Sequence, residues 1–274
     1  MKTIINAEWK TSMIKKVYLH LLQWSPLRRN LRQLRSRFLG AAGHPDPFDD
    51  LSRVARKAQA DLLLDIGCHH GDILLRFLEA GVACPAVAFD PLEENLRVAR
   101  AKLSRFPKVR FEQLALSDQD GVARFFLNRN EQTSSLLENS SGNLTSFHRD
   151  TEHLATLDVP TCRLDTWFAR QSEPRPHSIL VKCDTQGAEE KVIRGGIDLF
   201  KKRVVAIYTE VMLGEMYQGQ SDFASLRTLL EKECGLMLHN VYPCLHDASG
   251  RAVQMDALWI RPILGPSYKP PSLL

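Results

Sequence analysis

None of the six cysteines (Cys68, Cys84, Cys162, Cys183, Cys234, Cys244) forms a CxxC pair, and no Cys/His spacing suits a zinc ligand set. Thiols scattered in this way speak for a reducing, cytoplasmic setting rather than a disulfide framework. No apolar run approaches the roughly 20 residues that span a bilayer. The N-terminus has neither the apolar core nor the small-residue cleavage site of a secretory signal. A cytoplasmic protein is expected. A G-x-G-x-x-G turn and a Tyr-x-x-x-Lys pair are also missing, which weighs against an NAD-type oxidoreductase or epimerase. No internal repeat or low-complexity tract is visible. What is there is an ordinary globular composition: 274 residues, 44% hydrophobic and 25% charged. That is enough for one large α/β domain with an appendage.

The net charge of +4 hides an asymmetry. Residues 1 to 40 carry nine Lys or Arg against one acid, Glu8, while the remainder has 27 basic and 31 acidic residues. Apolar residues from Met13 to Phe38 recur at helical spacing with a break near Pro26. The reading is a basic helical N-terminal extension over residues 1 to 45. It either caps the main domain or meets an anionic membrane periphery or a protein partner. Because basic residues cluster at one end, without an aromatic stacking motif, a nucleic-acid partner is disfavoured. The cluster of Gly, Pro and Asp in GHPDPFDD (43 to 50) reads as a linker, and residues 46 to 274 as the main domain.

From Asp61 strands alternate with helices. LLLDI (62 to 66), AVAFD (86 to 90), SILVKCD (178 to 184) and VVAIYTE (204 to 210) read as buried strands, and VRFEQLAL (109 to 116) as a third strand in sequence. VARFFL (122 to 127) is expected to extend the sheet as a hairpin, and the polar stretch 128 to 160 to be a loop or lid. Helices are expected after 90, over AEEKVIRGG and near 222 to 233, with two further strands in LMLHNVY and MDALWIRP. This pattern predicts a mostly parallel sheet covered on both faces.

Ligands in such sheets bind at the carboxyl ends of the strands, where the strand order reverses. Asp65, Asp90, Asp184 and Glu210 all fall at or near predicted strand ends. Gly67 and Gly71 in DIGCHHGD allow a sharp turn and a close backbone approach to a ligand. Asp90, 25 residues after Asp65, stands where an acid bonds ribose hydroxyls; its alternative is a helix cap beside Pro91. A metal site at His69 and His70 would need further ligands, and no cluster nearby in sequence provides them.

DIGCHHGD, VAFDP, LALSDQDG, LVKCDTQGAEEKVIRGG and YTEVMLGEMYQGQ together resemble the successive blocks of the FkbM-type S-adenosylmethionine-dependent methyltransferases. The resemblance runs from about Asp61 to Pro262, and its most specific block is KxDxxGxExxxxxG, Lys182 to Gly195. It implies an α/β class I methyltransferase fold: a Rossmann-like three-layer sandwich around a mostly parallel seven-stranded sheet with an antiparallel strand. It implies transfer of a methyl group from S-adenosyl-L-methionine, typically to oxygen. Asp65, Gly67, His69 and Gly71, with Cys68 and Asp72 in the same loop, would then surround the methionine portion of the cofactor. Asp90 would take the ribose hydroxyls, and Ser117 and Asp118 the adenine edge. Two positions depart from the family pattern. Asp90 stands where Glu is usual, and His69 where Gly or Asn is usual; its ring would bond the cofactor's carboxylate, and His70 would lead into the next helix.

Methyl transfer to an alcohol needs a base for the departing proton. Asp184 is the first candidate and Glu210 the second. Lys182, of the same side-chain parity as Asp184, would hold the substrate oxygen or neutralise Asp184. Asp184 and Glu210 together could bind a divalent cation that lowers a hydroxyl's pKa; the alternative is an ion-paired network that supports the loops. Glu189 is read as structural, paired with a Lys or an exposed amide. Ser134, Ser135 and Tyr217 are candidate substrate contacts, and His148 and His153 weaker candidates for the base. The expected acceptor is a hydroxyl of a sugar, glycolipid or polyketide-like metabolite. The competing reading is a catalytically weak cofactor-binding module that recruits a glycan-assembly partner.

Overall fold

A computed structural model describes residues 46–141, 151–172 and 175–262. The basic segment 1 to 45 and His148 lie outside the described residues. The chain enters the fold through helix α1 (Pro47–Lys57). Asp46 accepts from the Phe48 amide at 2.9 Å and Pro47 occupies the first turn, a start signal rather than a linker.

There follow β1 (Leu62–Ile66), α2 (Asp72–Glu79), β2 (Ala86–Asp90), α3 (Glu93–Lys102) and β3 (Val109–Gln113). Next come β4 (Ala115–Ser117), β5 (Gly121–Asn128), a 3₁₀ turn at Glu131–Thr133, β6 (His153–Arg163) and α4 (Leu164–Ala169). The last part comprises β7 (Ile179–Cys183), α5 (Glu189–Gly195), α6 (Ile197–Lys202), β8 (Val204–Met212), α7 (Phe223–Thr228), β9 (Met237–Val241), β10 (Leu245–His246) and β11 (Ala252–Ile260).

The main sheet runs β3-β2-β1-β7-β8-β11, and β9 and β10 both pair with β11. Its eight strands thus occupy seven positions, the short β9 and β10 sharing one edge. The pairings among β3, β2, β1, β7 and β8 are parallel; β11 pairs antiparallel with β8. The antiparallel strand is therefore second from the edge.

Every residue of β1, β2, β7 and β8 is buried, which is why these strands read as unbroken apolar runs. Alternate residues feed two cores. Leu62, Leu64, Ile66, Val181 and Ile207 pack with Trp167, Phe168, Phe200, Leu226 and Trp259 under α4 to α7. Leu63, Leu180, Ala206 and Tyr208 pack with Leu51, Leu74, Phe77 and Leu96 under α1 to α3. The result is a three-layer α/β/α sandwich. No helix among the described residues is long and apolar enough to cross a membrane.

Two expectations change. VRFEQLAL is not one strand. The chain leaves the main sheet at Leu114, whose amide bonds the Asp90 carbonyl at 3.1 Å, and β4 joins a second, three-stranded sheet in the order β4-β6-β5. The polar stretch 128 to 160 is not simply a loop either: its last third forms β6, antiparallel to β5 and parallel to β4. β5 accordingly pairs with β6 rather than with the strand before it.

Candidate active site

The strand order reverses between β1 and β7, and the loops leaving β1, β2 and β7 converge there. They enclose a cavity of about 430 Å³, within the range of small-molecule sites. Gly67, Cys68, His69, Asp72, Asp90, Asp184 and Glu210 line it, with Leu114, Leu116, Phe125 and Leu136 as its apolar wall.

The loop after β1 is shaped by its backbone. The Gly67 and Cys68 amides both bond the Phe89 carbonyl, at 3.0 and 2.9 Å, and the Asp184 amide bonds the Ile66 carbonyl at 3.1 Å. Gly67 has φ 71°, and a Cβ there would lie 1.9 Å from the Asp184 carbonyl oxygen, so only glycine lets the two loops meet. Gly71 does not line the cavity: it caps α2, and a Cβ would press on Leu103. Asp72 ion-pairs with Lys102 at 2.7 Å.

Asp90, at the end of β2, is buried and nearly filled. Its Oδ1 accepts from the Leu92 amide (2.9 Å) and Asn95 Nδ2 (3.0 Å), and its Oδ2 from the His69 amide (2.9 Å). A carboxylate has about four acceptor sites. One therefore remains on Oδ2 of this cavity-lining residue. Burial pushes the pKa of Asp90 up, and the three donors oppose that.

Beneath this loop Asp65 and Lys182, register partners on β1 and β7, form an ion pair at 3.1 Å. Neither Asp65 oxygen receives a well-directed hydrogen bond. Burial raises the Asp65 pKa against the pull of Lys182. Burial also opposes the charge of Lys182, but Asp65 and Asp184 outweigh it and hold the ammonium above its ordinary range. Lys182 donates to the Gly67 and Ile66 carbonyls as well. It is 3% exposed, and these bonds tie it to the loop after β1 at the edge of the cavity.

Asp184, 36% exposed, faces the cavity with its Oδ2 4.0 Å from Lys182. Gln186 Nε2 donates to Asp184 Oδ1 (2.9 Å) and to both oxygens of Glu210 (3.0 and 2.9 Å). Gln254 also donates to Glu210. The amide nitrogen of Gln186 stands where a cation bridging Asp184 and Glu210 would sit. Burial drives the Glu210 pKa well above the usual range, with Asp184, Glu189 and Asp256 adding to it.

Other expected contacts move. Ser117 and Asp118 do not line the cavity: Ser117 Oγ donates to Asp118 Oδ1 at 3.1 Å, and the Ser117 carbonyl backs onto Gly195 of α5. Leu114, Ala115 and Leu116, just upstream, do line the cavity. Ser134 lines the cavity, whereas Ser135 and Tyr217 brace the loop after β7. Ser135 Oγ donates to the Gln186 carbonyl (2.8 Å) and Tyr217 OH to Gln186 Oε1 (2.7 Å). His153 begins β6 and contacts Thr156 instead. Gln186 falls at a variable position of the Lys182 to Gly195 block and was missed; Asn95, Phe125, Glu131 and Gln254 carry no local signal.

Cys68 is buried at the cavity wall, and burial lifts its thiol pKa far above the ordinary range. The His69 ring lies against His70, and burial lowers its pKa to about 4, with His70 adding to the effect.

The Methyltransferase FkbM domain matches residues 65–236. The 2-O-methyltransferase NoeI of Sinorhizobium fredii is 30% identical over 179 residues, 62% of this chain and 70% of that protein. Among solved structures, NodS, an N-methyltransferase from Bradyrhizobium japonicum, shares 11% identity over 79% of this chain and 89% of its own, with a TM-score of 0.41. The N-terminal domain of EvdMO1 shares 13% over 86% and 97%, also at 0.41; the chain spans 47% of a longer EvdMO1 structure. Superpositions at this score add nothing to the sheet order above. The family match covers more than half of the chain and coincides with the elements that build the cavity, so this chain belongs to the FkbM family of S-adenosylmethionine-dependent methyltransferases.

Proposed function

We propose that the chain is an O-methyltransferase acting on a hydroxyl of a sugar-containing acceptor, with Asp184 as general base. The observation that carries this is the pairing of two carboxylates at the ends of β2 and β7. Asp90 keeps one open acceptor site on the cavity, and Asp184, directly after β7, is a partly exposed acid of the same cavity. A relative named as a 2-O-methyltransferase supports oxygen as the acceptor atom.

Bound S-adenosylmethionine would supply an electrophilic methyl group. The chain's own residues then do three things. The loop at Gly67 to His69 and Asp90 fixes position, which contributes much of the rate in an in-line displacement. The apolar wall of Leu114, Leu116, Phe125 and Leu136 excludes water. Asp184 Oδ2, 4.0 Å from the Lys182 ammonium, takes the hydroxyl proton as the oxygen attacks. Glu210, held by Gln186 and Gln254, fixes the orientation of Gln186 and through it of Asp184.

Calorimetry with S-adenosylhomocysteine and turnover on a glycan acceptor test this together. Asp90→Ala is expected to weaken S-adenosylhomocysteine at least tenfold. Asp184→Asn is expected to keep that affinity within threefold and lose at least a hundredfold in kcat, the usual scale for a general base. Retained turnover in Asp184→Asn would remove the base assignment and leave the cofactor site standing.

A further inference from the structure

The paired histidines of the first loop meet a third group that sequence distance hides. Nε2 of His69 and Nε2 of His70 each lie 3.9 Å from the same atom, Glu131 Oε2. The ligating atoms of the three side chains all fall within 4.8 Å of one another. Consecutive residues do not ordinarily converge like this, because strands point them to opposite faces and helices do not set neighbours face to face. The left-handed backbone at His69 (φ 47°) turns both rings to one side, stacked with centroids 3.7 Å apart and planes at 29°. Glu131 arrives from across the cavity mouth on the 3₁₀ turn, whose first residues are fixed by Asn130 accepting from the Gln132 amide at 3.2 Å.

We propose that His69, His70 and Glu131 form a binding site for a borderline divalent cation of the zinc type at the mouth of the cofactor cavity. Two imidazole nitrogens and one carboxylate oxygen match zinc, cobalt or nickel. Magnesium and calcium prefer all-oxygen shells. Around a tetrahedral ion with bonds of about 2.1 Å, ligand atoms stand about 3.4 Å apart. The 3.9 Å spacings here close to that by small side-chain rotations. His70 and Glu131 are 33% and 46% exposed, which gives an ion a path from solvent. Three protein ligands leave a fourth position open. His69 and Glu131 also line the cavity, so that position adjoins the bound ligands. An ion here would tie the 130s turn to the cofactor loop. The acidic cluster of Asp184, Glu189 and Glu210 offers no equal site, since the Gln186 amide already lies between two of its carboxylates.

The test uses the full chain, stripped with a chelator and titrated with Co²⁺ by visible absorption, then with Zn²⁺ in competition. One Co²⁺ per chain is expected, with ligand-field bands of nitrogen and oxygen coordination and no thiolate charge-transfer band. His70→Ala and Glu131→Gln should each weaken Co²⁺ at least tenfold, while Glu210→Gln leaves it unchanged. No stoichiometric binding by the wild type, undiminished binding in both His70→Ala and Glu131→Gln, or a thiolate band would overturn the site. S-adenosylhomocysteine affinity, measured on the same samples, shows that the variants are folded and reports on the methyltransferase reading independently.

Discussion

A carboxyl buried without a cation beside it keeps its proton to higher pH than it does in the unfolded chain, and Glu189 is such a group. It is 1% exposed, and its Oε1 accepts from the Thr185 amide at 2.7 Å and the Thr185 hydroxyl at 3.0 Å. Burial raises its pKa from the ordinary 4.5 to about 7, with Asp184 adding to the effect and the Thr185 donors opposing it. Between those two pH values the folded state holds a proton that the unfolded state has lost. Stability must therefore fall as pH rises from 4.5 to 7 and level off above. Glu189→Gln keeps an acceptor for Thr185 and removes the titration. Urea unfolding at pH 5 and pH 8 should show a clear loss for the wild type and a smaller one for the variant. An equal loss in both would place the raised pKa elsewhere. The sequence marked Glu189 as structural, paired with a Lys or an exposed amide; the amide it accepts from is a partly buried one of the backbone. That this amide belongs to Thr185, in the loop that also presents Asp184, follows only from the fold.

At the scale of elements, the β1 and β7 loops act as one unit because Gly67 lets their backbones touch. Alanine there would have to adopt φ 71° and place its Cβ 1.9 Å from the Asp184 carbonyl. Left-handed strain and overpacking each cost about 1–3 kcal/mol. Gly67→Ala is expected to lose more than about 3 kcal/mol in urea unfolding, or to fold with S-adenosylhomocysteine binding abolished. A variant of wild-type stability and affinity would contradict the close approach. The strands that carry these loops were legible because they are buried on both faces. β6 was not: most of its residues are exposed, and Pro160 interrupts it where a ladder donor would be expected. The break at Leu114 was equally hidden, since nothing in QLAL marks where a strand changes sheets. A strand read as running on to Leu116 put Ser117 and Asp118 at its end, whereas Leu114, Ala115 and Leu116 line the cavity. Asp46 and Pro47 carried a readable helix start, but their Gly- and Pro-rich neighbours read as a linker.

For the whole molecule, the cavity is a property of the folded state alone. Gly67, Asp90, Leu114, Glu131, Asp184 and Gln254 line it from distant parts of the chain, so the unfolded chain has no comparable site. A ligand of this kind must stabilise the native state by mass action, by about 2.7 kcal/mol at a hundredfold excess over Kd. For a domain of this size that converts to a rise in Tm of about 5 to 10 °C. S-adenosylhomocysteine is expected to produce such a rise in scanning calorimetry, and Asp90→Ala, at the same ligand concentration, about half of it or less. If calorimetric titration detects binding while Tm stays fixed at a hundredfold excess, the ligand does not discriminate folded from unfolded chain. The cavity between β1, β2 and β7 would then not be the place where it binds.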